Sequence, residues 1–181
     1  MKESLAITPD VRIASTLATK IRLHSISYLE CRGRMLSTDD PRKLQYDLPP
    51  VNGVWSVHDR GLAVVLPFVL NVKNAAVEGS PVSDLAEISV MIGLNYILND
   101  AAILPNEDEL PHFAGISGYM HAWPYFRADV QWLSTKLGFP ALTLPIVLSG
   151  EVPSRILMSK AIAATAAPPK KAARRKRRPA E

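Results

Sequence analysis

Leu62-Ala63-Val64-Val65-Leu66-Pro67-Phe68-Val69-Leu70-Asn71-Val72 decides the fold class of this 181-residue chain. Leu62, Val64, Leu66, Phe68, Leu70 and Val72 alternate on one face, which is the period of a β-strand. Ala63, Val65 and Val69 make the other face apolar as well, so this strand expects cover on both sides. Residues 74–83 supply a hairpin-like connection with Gly79, Ser80 and Pro81. The next run alternates again: Ala86, Ile88, Val90, Ile92, Leu94, Tyr96 and Leu98 face one way, Glu87, Ser89, Gly93 and Asn95 the other.

Upstream, residues 21–36 and 44–57 also read as extended, the second broken by Pro49-Pro50 and Asn52-Gly53. Prolines cannot donate ladder hydrogen bonds, so that second stretch is expected at a sheet edge or at a bulge. Thr8-Pro9-Asp10 predicts a helix start, with a short helix to about Lys20. Downstream the period changes. Trp123, Phe126, Val130, Leu133 and Leu137 recur at three- and four-residue steps, the stripe of an amphipathic helix, and Gly138 ends it. Pro124 fits a first turn or a kink after a helical piece at 113–121. Strands followed by helix make an α+β arrangement. One helical layer leaves the second apolar face of 63–69 bare, to meet another subunit or a client.

Composition narrows the function. With 48% hydrophobic and 21% charged residues the chain is not disordered as a whole. One cysteine, Cys31, permits no internal disulfide and no cysteine zinc site. The first residues lack the apolar core of a signal peptide, and 62–70 is about half the ~20 residues of a membrane-spanning helix. The expectation is a soluble cytoplasmic protein without membrane insertion. His24, His58, His112 and His121 are scattered, Gly115-Ile116-Ser117-Gly118 lacks the nucleophile-elbow pattern, and no phosphate loop occurs. The small residues of 115–118 read as an allowance for close helix packing. No active site assembles, so a non-enzyme without cofactor or metal is expected.

Charge is concentrated at the C-terminus. Residues 168–181 carry seven basic side chains (Lys170, Lys171, Arg174, Arg175, Lys176, Arg177 and Arg178) against Glu181, or +6. The whole chain is +4, which leaves the body at −2. The tail suits a solvated, disordered extension, a nucleic-acid contact or an acidic partner. It has no aromatic residue for base stacking.

Pro124-Tyr125-Phe126-Arg127, followed after eleven residues by Phe139-Pro140-Ala141-Leu142-Thr143-Leu144, resembles the Pro-Tyr-x-Arg … Phe-Pro-x-Leu-x-Leu pattern of the export chaperone SecB. The resemblance, with the strand order before it, covers about 21–147. It implies four antiparallel strands, a long helix, a crossover loop and a second helix. It also implies a homotetramer built as a dimer of dimers. The activity implied is ATP-independent holding of non-native polypeptides in apolar grooves, with delivery of export precursors to SecA. By position, Phe139, Leu142, Leu144 and Ile146 match the crossover loop and become groove candidates, with Trp55, Val57 and Tyr46 on the second strand. Trp123, Phe126, Val130 and Leu133 become candidates for core or subunit contact. On this reading 1–20 is an N-terminal extension with a short helix, 21–149 the chaperone domain, 150–167 a short second helix and 168–181 the tail. The extra N-terminal helix resembles SecB-like chaperones that protect the antitoxin of a toxin–antitoxin pair, and the basic terminus departs from the export members.

Overall fold

The computed structural model describes residues 7–38, 44–58, 61–75, 82–99 and 105–161. Helix α1 (Val11–Leu17) opens the described chain. Its cap is Asp10, whose carboxylate accepts from the backbone N–H of Arg12 at 2.7 Å and Ile13 at 3.4 Å. The helix starts later and ends earlier than Thr8 and Lys20 suggested. Ile21 instead begins β1 (Ile21–Met35). Then follow β2 (Leu44–Asp47), β3 (Val51–His58), β4 (Gly61–Asn74) and β5 (Ser83–Leu98). Helix α2 (Leu110–Lys136) and a 3-10 helix (Ser149–Ser154) lead to β6 (Ile156–Lys160).

The sheet has six strands in the order β1-β5-β4-β3-β6, with β2 pairing a further stretch of β4. Two expectations are corrected here. The segment 44–57 is two strands, because Pro49 and Pro50 fall between them, and β3 is an interior strand. Where a second helix was expected, 156–160 forms a strand parallel to β3, from Val51↔Ile156 to Trp55↔Lys160. The reason is visible in burial: Ile156 and Met158 alternate inward at 1% and 0% exposure, which a helix would not allow. The remainder of the expected helix, 162–167, and the basic tail lie outside the described residues.

The core forms between the inner face of the sheet and α2. Val64, Leu66, Phe68, Leu70, Ile88, Ile92 and Leu94 are fully buried, as the alternation of β4 and β5 requires. Phe68 stacks on Phe126 at 4.6 Å and meets the edge of Tyr119 at 5.3 Å. The helical stripe Trp123, Phe126, Val130 and Leu133 supplies the opposing surface. Gly138, at φ 86°, ends α2 in the left-handed conformation expected of it.

The N-terminal half of α2 is hemmed in by the sheet, including Met158 of β6, and by Pro9. A Cβ at Gly118 would stand 3.3 Å from Val64 Cγ1, and one at Gly115 would overlap Pro9 Cγ and lie 3.1 Å from Met158 Cγ. The small residues of 115–118 therefore do permit close packing. Gly115→Ala is expected to destabilise the protein by about 1–3 kcal/mol through overpacking. Alanine's helix-propensity advantage of about 1 kcal/mol offsets only part of this. Urea unfolding measures the difference.

Candidate polypeptide-binding surface

Residues 139–148 run back along α2 as an irregular loop, and side chains of α2 hold it by its backbone. Ser134 Oγ accepts from the Leu142 N–H at 3.0 Å. Arg127 Nε donates to the Leu144 carbonyl at 2.8 Å, and Trp123 Nε1 to the Pro145 carbonyl at 3.0 Å. The three lie on one side of the helix, so the fixed interval between the Pro-Tyr-x-Arg and Phe-Pro-x-Leu elements has a structural cause: it places the guanidinium opposite one loop carbonyl. Half-buried groups joined this way satisfy a loop that has no strand partner.

The clasp sorts the loop's apolar residues. Phe139, Leu144 and Val147 point inward at 6%, 1% and 2% exposure. Leu142 is half-buried against the core. Ile146 and Leu148 point to solvent at 73% and 65%. Of the groove candidates, Phe139 and Leu144 are therefore core residues, because their side chains anchor the loop that would form the groove wall. Trp55 is core too, 4% exposed, with Lys160 Nζ 5.5 Å above its ring. Val57 and Tyr46 are exposed. They are not neighbours. Val57 pairs with Leu62 and Tyr46 with Val72, ten residues apart along β4 and so roughly 33 Å. Leu148 was missed by sequence reasoning, and its apolar character beside Ile146 was the available signal.

The four candidates Trp123, Phe126, Val130 and Leu133 are buried in the protomer's own core, not presented for subunit contact. The outward side of α2 carries Tyr125 and Trp132 instead. Tyr28 of β1 meets Tyr125 edge-on at 6.4 Å, which joins the helix surface to the sheet edge. That edge is a 15-residue strand exposing Tyr28, Leu29 and Met35, a long and partly apolar β-edge. Burial pushes the Asp129 carboxyl above its ordinary value, an effect that the neighbouring Tyr28 hydroxyl opposes. The outer sheet face, with Ala63, Val65, Pro67 and Val69 half-buried, carries no covering layer among the described residues.

No group of His, Cys, Asp and Glu able to hold a metal occurs among the described residues, and no helix there is long and apolar enough to cross a membrane. Three histidines have hydrogen-bond partners, and His58 Nε2 lies 2.8 Å from the Ser56 hydroxyl. His112 Nδ1 accepts from the Asp10 N–H at 2.8 Å, tying α1 to α2. His121 Nδ1 and the Tyr96 hydroxyl lie 3.0 Å apart. Burial lowers the pKa of His121 below the usual imidazole range, so folding favours its neutral form. Its stabilising contribution is complete above the unfolded value of about 6.5 and is lost as pH falls through the folded value. The unfolding midpoint is expected to drop between pH 7 and pH 5, and His121→Gln to drop less over that interval, as urea titrations at each pH will read.

No family model and no curated protein matches the chain. Solved structures do. A SecB-like chaperone of Mycobacterium tuberculosis, in complex with a ChAD peptide from the HigA1 antitoxin, superposes with a TM-score of 0.65 at 23% identity. The match covers 75% of this chain and 97% of that one. A Streptococcus agalactiae protein of unknown function matches at a TM-score of 0.40 and 10% identity, over 70% of this chain and 98% of that one. The chain thus has the fold of a SecB-like chaperone. Beside the four strands implied by the resemblance, the described residues carry the short β2 and the parallel β6.

Proposed function

We propose that this chain is a SecB-like molecular chaperone, an ATP-independent holdase that binds non-native polypeptides. The observation that carries the reading is the fold likeness, which spans nearly the full length of a SecB-like chaperone whose partner is an antitoxin peptide. That partner favours an antitoxin over export precursors as the client, and with it a toxin–antitoxin role over delivery to SecA. The client surface consists of Ile146, Leu148 and Leu142 on the clasped loop, with Val57 and Tyr46 on β3 and β2. Non-native chains share exposed apolar side chains and unpaired backbone, so scattered apolar side chains on a fixed frame hold many sequences weakly. Subunit contact falls to Tyr28, Tyr125 and Trp132 along the β1 edge and the outward side of α2, and the expected assembly is the homotetramer of paired dimers.

The test is titration of the full chain with a polypeptide kept unfolded by alkylation of its cysteines, alongside the mass of the assembly by light scattering. Saturable binding without nucleotide is the expected result, and absence of binding at micromolar protein overturns the reading. The seven basic residues of the tail favour one second reading, nucleic-acid association. Phosphate contacts weaken steeply between low and moderate salt, whereas apolar client binding persists.

A further inference from the structure

The clasp uses only part of the Arg127 side chain. Its Nε–H is committed to the Leu144 carbonyl at 2.8 Å, which leaves the fork of two terminal nitrogens with their N–H donors. No carboxylate among the described residues forms an ion pair with that fork, and the side chain is half-buried. Arg127 also lines a cleft of about 220 Å³ between the helix and the clasped loop. Pro124, Ala128 and Gln131 complete the helix wall, at the three- and four-residue steps of one face, and Thr143 and Leu144 form the loop wall. Arg127 is the one charged residue of this lining, with the Gln131 amide and the Thr143 hydroxyl as its neutral donors.

We propose that this cleft is a carboxylate-binding site, in which the Arg127 fork pairs with an acidic group of the client polypeptide beside Gln131 and Thr143. A guanidinium held at Nε presents its remaining donors in a plane that matches the two oxygens of a carboxylate. One positive charge on the lining balances one negative charge, so a monoanion fits better than a phosphate dianion. Partial burial strengthens the pair over one in bulk water. Leu144 precedes the outward Ile146 by two residues, at most about 7 Å of chain. A client whose apolar side chains meet Ile146 and Leu148 therefore brings its neighbouring acidic side chain, or its C-terminal carboxylate, within reach of the cleft. That the carboxylate belongs to a client rests on the function proposed above; the site itself does not.

Two measurements on the full chain test the two parts. The first follows the Arg127 Nε–H resonance by NMR during titration with small carboxylates. N-acetylglutamate amide offers only a side-chain carboxylate, N-acetylleucine only a terminal one, and N-acetylglutamine amide neither. A saturable shift with one or both carboxylates, and none with the glutamine compound, is expected, and the compound that acts names the source. Gln131→Glu sets a carboxylate one turn from Arg127 and is expected to weaken this binding about tenfold. No saturable shift with either carboxylate, an equal shift with the glutamine compound, or undiminished binding in Gln131→Glu overturns the site. The second measurement compares two apolar peptides, amidated at the C-terminus, that differ only in one glutamate or glutamine. The glutamate peptide is expected to bind about tenfold more tightly, the worth of one charge-assisted pair, and Gln131→Glu to abolish the preference. Equal binding of the two peptides, with the small carboxylates still bound, overturns the client's part. If neither peptide nor the alkylated polypeptide binds while a small carboxylate still shifts Arg127, the proposed function fails and the site stands.

Discussion

Leu144→Asp is expected to cost the protein about 4 kcal/mol of stability, from a lost buried leucine and a carboxylate forced out of water. Leu144 is 1% exposed, and its carbonyl is the acceptor for Arg127. A native domain is stable by only about 5–15 kcal/mol, so this one change removes a large share of the total. Leu144→Ala separates the contributions: it removes the packing alone and should cost about 2–3 kcal/mol. Urea unfolding of both variants reads the difference. A midpoint for Leu144→Asp close to that of the parent would mean that the loop is not seated as described, and that Leu144 belongs with the client surface after all.

The reverse pattern is expected at the loop's outward positions. Ile146→Asp combined with Leu148→Asp should leave the unfolding midpoint nearly unchanged, because both side chains already face solvent. The same double variant should bind the alkylated polypeptide at least about tenfold more weakly. Each aliphatic side chain buried by a client is worth roughly 1.5 kcal/mol or more, and part of that area is lost twice over. Loss of stability instead of binding would return these positions to the core. Retention of both would remove the loop from the client surface.

Burial explains what could be read from the sequence and what could not. The alternation of β4 and β5 and the stripe from Trp123 to Leu133 were legible because one-sided burial stamps its period on long segments. Strand β6 was not. Five residues are too few to set a period of two against one of 3.6, and its parallel partner β3 lies about a hundred residues upstream with no local mark of the pairing. The loop posed a different difficulty. Phe139, Leu144, Ile146 and Leu148 are equally apolar, and only the backbone bonds from Trp123, Arg127 and Ser134 determine which two turn inward. Arg127 lies outside the buried stripe of Trp123, Phe126, Val130 and Leu133, yet it secures the loop. The tertiary partner of a donor has no signature in composition.

The most direct measurement is suppression of the aggregation of a denatured model protein by the full chain, without nucleotide, at low and at moderate salt. Suppression at near-stoichiometric ratios, nearly the same at both salts, is the expected result, as binding through apolar side chains requires. Aggregation that proceeds unchecked at both salts, or protection that vanishes at moderate salt as phosphate-type contacts would, contradicts it.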